Sequence, residues 1–358
     1  MDRIRTVSRE IIDLADSTGI PELDLTLIAM NMEGAVSHSP LARSRMQVRP
    51  LGSSEIWQII LPLDSDCTAF SVQDRGIYLG ETRVAEILAA ENDDVVLTYL
   101  RAGGRSVTLN THSRSTCVGC VFCPNIIEDA SDATIASAEE LQGVLTWLCA
   151  EQGWADLSAV EKITVCTGCF NTPTMAINHM ADLRTASARL GFSGVLHLLS
   201  SVIRDYADLS NFAQRAGPAH LTITVECFSR RDVLLKSSKA SLTLERAREV
   251  LTDARRAGII ADFTYVAGLD PLDVALHGLE RLIPVCDTFP RIQVYQSHNS
   301  YMRGYRNPEA EHLAYFAKLR LRTEGILASE GLIPRSWENY RPLWYSSFAR
   351  GMVAGPRV

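Results

Sequence analysis

The chain has 358 residues, of which 46% are apolar and 22% charged, with a formal net charge of −7. That length can bury one large core or two modest ones, and the acidic balance argues against a broad nucleic-acid footprint. The opening Met1-Asp2-Arg3-Ile4-Arg5 carries no apolar leader, and no stretch approaches the ~18 unbroken apolar residues of a membrane span. A cytoplasmic protein with neither a membrane nor a nucleic-acid partner is expected.

Residues 1–104 read as a small α/β region. A charged helix-like start, Val7 to Ala15, precedes strand-like runs at Leu23–Met30, Ile56–Leu63 and Val95–Leu100. Residues 105–307 switch to strand–helix alternation, the mark of a parallel sheet with crossover helices. The expected strands are Ser106–Asn110, Lys162–Cys166, Gly194–Leu199, Leu221–Cys227, Ile260–Val266 and Arg291–Ser297. Ser137 and Glu140 form a capping-box pair, and Leu141, Val144, Leu145, Leu148 and Cys149 then make one apolar stripe. A second helix runs from about Thr243 to Gly258, a left-handed stop. Six such units predict an α/β fold, a partial (β/α)6 TIM-type barrel with an N-terminal α/β extension. Residues 308–358 form a C-terminal helical segment, with a helix over Glu309–Ser329 and an aromatic tail from Trp337 to Phe348. In barrels of this kind the reacting groups gather at the C-terminal ends of the strands.

Nine cysteines in a cytoplasmic chain point to metal or redox chemistry where they cluster. Cys117, Cys120 and Cys123 follow the first barrel strand directly. Soft thiolates at this spacing suit three irons of a [4Fe–4S] cube. A bacterial ferredoxin needs a fourth cysteine where Ile127 stands. Structural zinc wants four ligands, and His112 is the one nearby addition. Cys166 and Cys169 could help hold a second cluster or be small buried thiols, while Cys67, Cys149 and Cys286 read as packing residues.

The loop, with Phe122 just before its last cysteine, resembles the radical S-adenosylmethionine (SAM) superfamily. That family usually places three residues between its first two cysteines, and here Thr116 stands at the usual first position. The resemblance covers roughly residues 105–300. It implies that Thr167 and Gly168, after the second strand, meet the amino group of SAM. On the fourth strand, alternation puts Leu221, Ile223 and Val225 on one face and Thr222, Thr224 and Glu226 on the other. A lumen carboxylate at Glu226 is costly without a partner. Thr243-Leu244-Glu245-Arg246 is similar to a helix start in biotin synthase and its hydrogenase-maturation and pyrrolysine-pathway relatives. There an arginine binds the SAM carboxylate, which implies SAM roles for Arg246 and Glu226. Val266 and Gly268 match the adenine-contacting strand, although Pro271 replaces the usual acidic residue.

The resemblance implies two cofactors, a [4Fe–4S] cluster and SAM, and a low-potential electron donor such as flavodoxin or ferredoxin. It also implies a 5′-deoxyadenosyl radical that abstracts hydrogen from a small organic substrate. The arginine-rich composition and the unusual triplet point to natural-product biosynthesis. Asn110, Asn171, Tyr265, Tyr295 and His298, near strand ends, are the substrate-pocket candidates; His197 reads as core. Radical sulfur insertion or methylation with a second cluster is the alternative enzyme reading, and an electron-transfer or cluster-carrier protein the non-enzymatic one. No cobalamin-binding D-x-H-x-x-G motif occurs.

Overall fold

The computed structural model describes residues 2–38, 43–63, 69–92, 98–111, 119–123, 135, 137–166, 170–335, 338, 341–355 and 357–358. Helix α1 (Asp2–Thr18) buries Val7 and Ile11, one turn apart. It ends before Gly19, and Pro21 opens α2 (Glu22–Glu33). The strand expected at Leu23–Met30 is therefore the body of a helix. The alternating Leu23, Leu25 and Leu27 imitate a strand, but the element is buried almost all round, packed on α1 and on the first sheet. A helix buried on every side loses the period that would announce it.

Strands β1 (Arg43–Pro50), β2 (Trp57–Pro62), β3 (Phe70–Gln73), β4 (Gly76–Leu79) and β5 (Thr82–Asn92) form an antiparallel sheet in the order β2-β1-β5-β4-β3. The expected strand at Ile56–Leu63 is β2.

The second sheet begins with β6 (Thr98–Arg101), antiparallel to β7 (Ser106–Leu109). Helix α3 (Ala138–Gln152) then leads to β8 (Lys162–Val165), α4 (Pro173–Ala188) to β9 (Val195–Leu199), and α5 (Tyr206–Ala216) to β10 (Ala219–Glu226). Two short helices, α6 (Arg231–Leu234) and α7 (Ser237–Ala240), precede α8 (Leu244–Arg256) and β11 (Ile260–Ala267). Helix α9 (Leu272–Leu282) leads to β12 (Arg291–Val294). The sheet order is β12-β11-β10-β9-β8-β7-β6, and the strands from β7 to β12 are all parallel. This is the curled half-barrel that strand–helix alternation predicts. Its helices begin where the sequence marks them: Ser137 and Glu140 make both halves of a capping box, and Thr243 caps α8.

The outer faces of the strands carry the core. Leu221, Ile223 and Val225 of β10 are at most 2% exposed, and burial of each such side chain contributes about 1.5–3 kcal/mol. Past β12 come α10 (Ser300–Arg303) and α11 (Leu313–Ser329), which packs on α9, α1 and α2. Within α11, Arg320 donates at 2.6 Å to the fully buried Asp24 of α2, so the C-terminal helix and the N-terminal helices share one core. The chain closes with β13 (Ser347–Phe348) and β14 (Gly351–Met352).

Candidate functional site

Alternation on the parallel strands aims every second side chain into the lumen. At the C-terminal ends these side chains enclose a cavity of about 240 Å³. Cys120, Phe122 and Cys123 form its upper wall from the loop after β7, and Cys166 joins them from the end of β8. Cys120 and Cys123 are half-buried, and Cys123 N–H donates to Cys120 C=O at 3.1 Å. Cys117, the third member of the motif, lies outside the described residues, as do His112, Thr167, Gly168 and Cys169. Among the described residues no three metal-binding side chains gather in one place.

The cysteine loop is held from above by α6 and α7, which cross the mouth as a strap. Val121 N–H donates to Leu234 C=O at 3.1 Å. Phe122 packs with Leu234, Leu235, Val266 and Tyr295 in a small core of its own, its ring edge-on to Tyr295 at 6.4 Å. Gly119 has φ +97°, and a Cβ there would come within 3.0 Å of Lys236 Cβ. Glycine is thus required for the loop to lie this close to the strap. Arg231 pins the strap to the sheet by donating to the Val225 and Lys239 carbonyls at 2.7 Å each. Three of the strap's residues, Lys236, Ser238 and Lys239, line the cavity.

Glu226 closes β10 in the left-handed region, at φ +70°, where the pairing with β11 slips by one residue. That conformation costs a non-glycine residue about 1–2 kcal/mol, and such strain recurs where a side chain must be aimed. Here the carboxylate is aimed into the cavity, where Lys239 Nζ donates to it at 2.8 Å. The pair is nearly buried, with side chains 13% and 14% exposed.

Of the other residues singled out from the sequence, Val266, Tyr265 and Tyr295 line the cavity. Tyr295 spends its hydroxyl on Met302 C=O at 2.7 Å. Asn110 sits one layer back and accepts from the Cys166 thiol at 3.3 Å. Asn171 is exposed, outside the lining. His298 is buried away from the cavity, where burial and the nearby Arg43 and Arg341 push its pKa down to about 3. Gly268, at φ +108°, turns the chain after β11 against Tyr295 and Ala310 without lining the cavity. Nearby, Asp270 accepts from Phe228 N–H and Ser229 N–H, fixing the loop after β10.

Arg246 lies on α8 outside the cavity lining, its guanidinium donating to Asp205, Glu249 and the Arg204 carbonyl. Cys227 is fully buried, with Phe122 and Leu234, and burial pushes its thiol up. His197 is core, between Thr164 and Thr222. Sequence reasoning placed Thr224 on the lumen face but missed Lys236, Lys239, Thr264, Gln293 and Arg341 as cavity residues. The lysines carried a usable signal: the chain has four, and two lie three residues apart in this strap.

No family model and no curated protein matches the chain. Among solved structures it is similar to the cobalamin-dependent S-adenosylmethionine radical enzyme OxsB in its apo, selenomethionine-labelled form. The identity is 16%, over 58% of this chain and 31% of that one, and the TM-score is 0.33. The chain thus spans under a third of that protein's length. No helix among the described residues is long and apolar enough to cross a membrane.

Proposed function

We propose that the chain is a radical SAM enzyme in which Cys117, Cys120 and Cys123 hold a [4Fe–4S] cluster at the mouth of the half-barrel. The observation that supports this most is the placement of Cys120 and Cys123 in the wall of the same cavity into which β10 turns Glu226. Soft thiolates suit iron–sulfur clusters, and the strap supplies ammonium groups beside them, so the donor set fits. A cluster held by these cysteines would supply the single electron for reductive cleavage of SAM to methionine and a 5′-deoxyadenosyl radical.

The chain's own residues bind, orient and shield. Glu226 accepts hydrogen bonds from the amino-acid or ribose part of SAM, and Val266 flanks the adenine. Lys236, packed against Gly119 of the cysteine loop, offers its ammonium to the SAM carboxylate. This role the resemblance gives to Arg246, which lies on the outer side with Asp205 and Glu249. Thr167 and Gly168 meet the amino group. Phe122, Leu234 and Leu235 exclude water from the mouth, which a reactive radical requires. The substrate is a small organic molecule held in the lumen, in natural-product biosynthesis, and the electron comes from a flavodoxin or ferredoxin.

Anaerobic reconstitution with iron and sulfide, followed by dithionite and SAM, tests the reading. About four irons per chain and formation of 5′-deoxyadenosine are expected. Zinc in place of iron, or no turnover of SAM, overturns it. Cys166 in the same wall favours one second reading, radical sulfur insertion or methylation at a second cluster, which iron well above that count would support.

A further inference from the structure

Below the cysteine loop the lumen presents one layer of hydrogen-bond donors. Thr224 of β10 and Thr264 of β11 stand opposite each other in register, and both line the cavity. They are 7% and 8% exposed, and neither hydroxyl has a hydrogen-bond partner among the described residues. Buried hydroxyls are rarely left so, because an unmade bond costs stability. On the next strand, Gln293 Oε1 accepts from Arg341 Nη2 at 2.9 Å. That bond engages one of the two Oε1 lone pairs, and the Gln293 amide can donate its N–H groups. Two hydroxyls free to donate, an amide and a guanidinium therefore converge, and Glu226, the one carboxylate among the described lining residues, sits a layer higher against Lys239. The facing wall sets apolar Phe170, Leu199 and Val202 beside Ser200 and Ser201.

We propose that this layer is a carboxylate-binding subsite and that the substrate is a small carboxylic acid with an apolar body. The proposal rests on the radical SAM reading of the cavity and names the substrate class. A planar anion with four lone-pair directions matches a guanidinium flanked by neutral donors. The carboxylate of SAM is the wrong occupant on grounds of depth. Phe122 of the cysteine loop rests on Tyr295, and Gln293 lies two residues back along β12, about 6.6 Å deeper. A carboxylate that reaches a cluster on the loop does not reach this layer.

The test uses the anaerobically reconstituted full chain and two probes of one shape, 4-methylpentanoate and its amide, titrated by calorimetry or saturation-transfer NMR. The acid is expected to bind about tenfold or more tighter than the amide, as expected for a charge-assisted contact. Arg341→Gln removes that preference. Thr264→Val, which deletes one hydroxyl with little change of shape, weakens the acid severalfold and keeps the test open should Arg341→Gln fail to fold. Saturating S-adenosylhomocysteine leaves acid binding unchanged. Equal binding of acid and amide, undiminished binding in both variants, displacement by S-adenosylhomocysteine, or no binding into the tens of millimolar would each overturn the subsite. Release of 5′-deoxyadenosine is read separately on the same preparation. Cleavage of SAM without acid selectivity sinks the subsite alone, and selectivity without cleavage sinks the radical reading alone.

Discussion

At the base of the half-barrel the first lumen-facing residues of the strands are charged, and they find partners in one another. Lys162 of β8 pairs with Glu338, whose backbone carbonyl accepts from Arg291 of β12 at 2.9 Å. His220 of β10 meets Asp262 of β11 at 3.1 Å, and His197 stacks on His220 with 3.9 Å between ring centroids. Burial, then the neighbouring His220, Arg291 and Lys162, hold His197 well below its usual pKa and hence neutral. Among the described residues there, Asp262 Oδ1 and Arg291 Nε are single atoms left without a partner. At the mouth, two to six residues further along the same strands, the polarity persists, and beside the Glu226–Lys239 pair part of it faces the cavity. Cys120 and Cys123 line the cavity, and Thr224 and Thr264 turn into it hydroxyls that have no partner among the described residues. The base is organised for the chain itself and the mouth for something the chain does not contain. Substitutions at the base should therefore cost stability, and those at the mouth should cost binding.

The sharpest break should come at the mouth. Cys120→Ser removes one of three thiolates and should abolish iron incorporation and 5′-deoxyadenosine formation, read by iron analysis and chromatography. The melting temperature of the apoprotein should hardly move, since the side chain is half-buried. At the base, Glu338→Ala strands Lys162 in the lumen. Removing one partner of a buried ion pair costs about 3–5 kcal/mol, measurable as a drop in the denaturation midpoint.

The same carboxylate gives a gentler, pH-driven version of that break. Burial alone would raise the Glu338 pKa, but Lys162 and Arg291 outweigh it and hold the group down at about 2, against an ordinary value of 4.5. A depressed carboxyl contributes stability that is fully present above its unfolded pKa and lost as pH falls toward its folded one. Stability should therefore decline between about pH 4.5 and pH 2. Glu338→Gln should flatten that part of the profile in urea titrations at a series of pH values.

How far the sequence foretold this contrast depends on whether local pattern or distant contact decides each feature. The six parallel strands were legible because they alternate with helices, two of them marked by caps at Ser137 and Thr243, and the inward turn of Thr224 and Glu226 followed from a period of two. Leu23–Met30 misled because a fully buried helix and a strand share the same apolar run. The first sheet was largely missed, since β1 reads Arg-Ser-Arg-Met-Gln-Val-Arg and shows little apolar content. The left-handed kink at Glu226 leaves no mark in residue type, and Arg341 reaches Gln293 from 48 positions away. Such contacts are made by the finished fold, not by neighbours along the chain.

The smallest expected effect discriminates best between pattern and position. By family pattern the cation for the SAM carboxylate is Arg246; by position it is Lys236. Arg246 is about a third exposed and paired with exposed carboxylates, Asp205 at 2.9 Å and Glu249 at 2.8 Å. Surface pairs of this kind contribute about 0–1 kcal/mol, so Arg246→Ala should lower stability slightly and leave SAM affinity within about twofold. Lys236 is half-buried on the cavity wall beside the cysteine loop. Losing a charge-assisted hydrogen bond there costs about 1.5–3 kcal/mol, so Lys236→Met should raise the KM for SAM about tenfold or more with little change in melting temperature. Lys236→Arg, which keeps the charge, should recover most of that loss. If Arg246→Ala instead produced the larger rise in KM, α8 must move toward the mouth when SAM binds, and the division between a self-paired frame and an open mouth would have to be redrawn to include the outer turn of that helix.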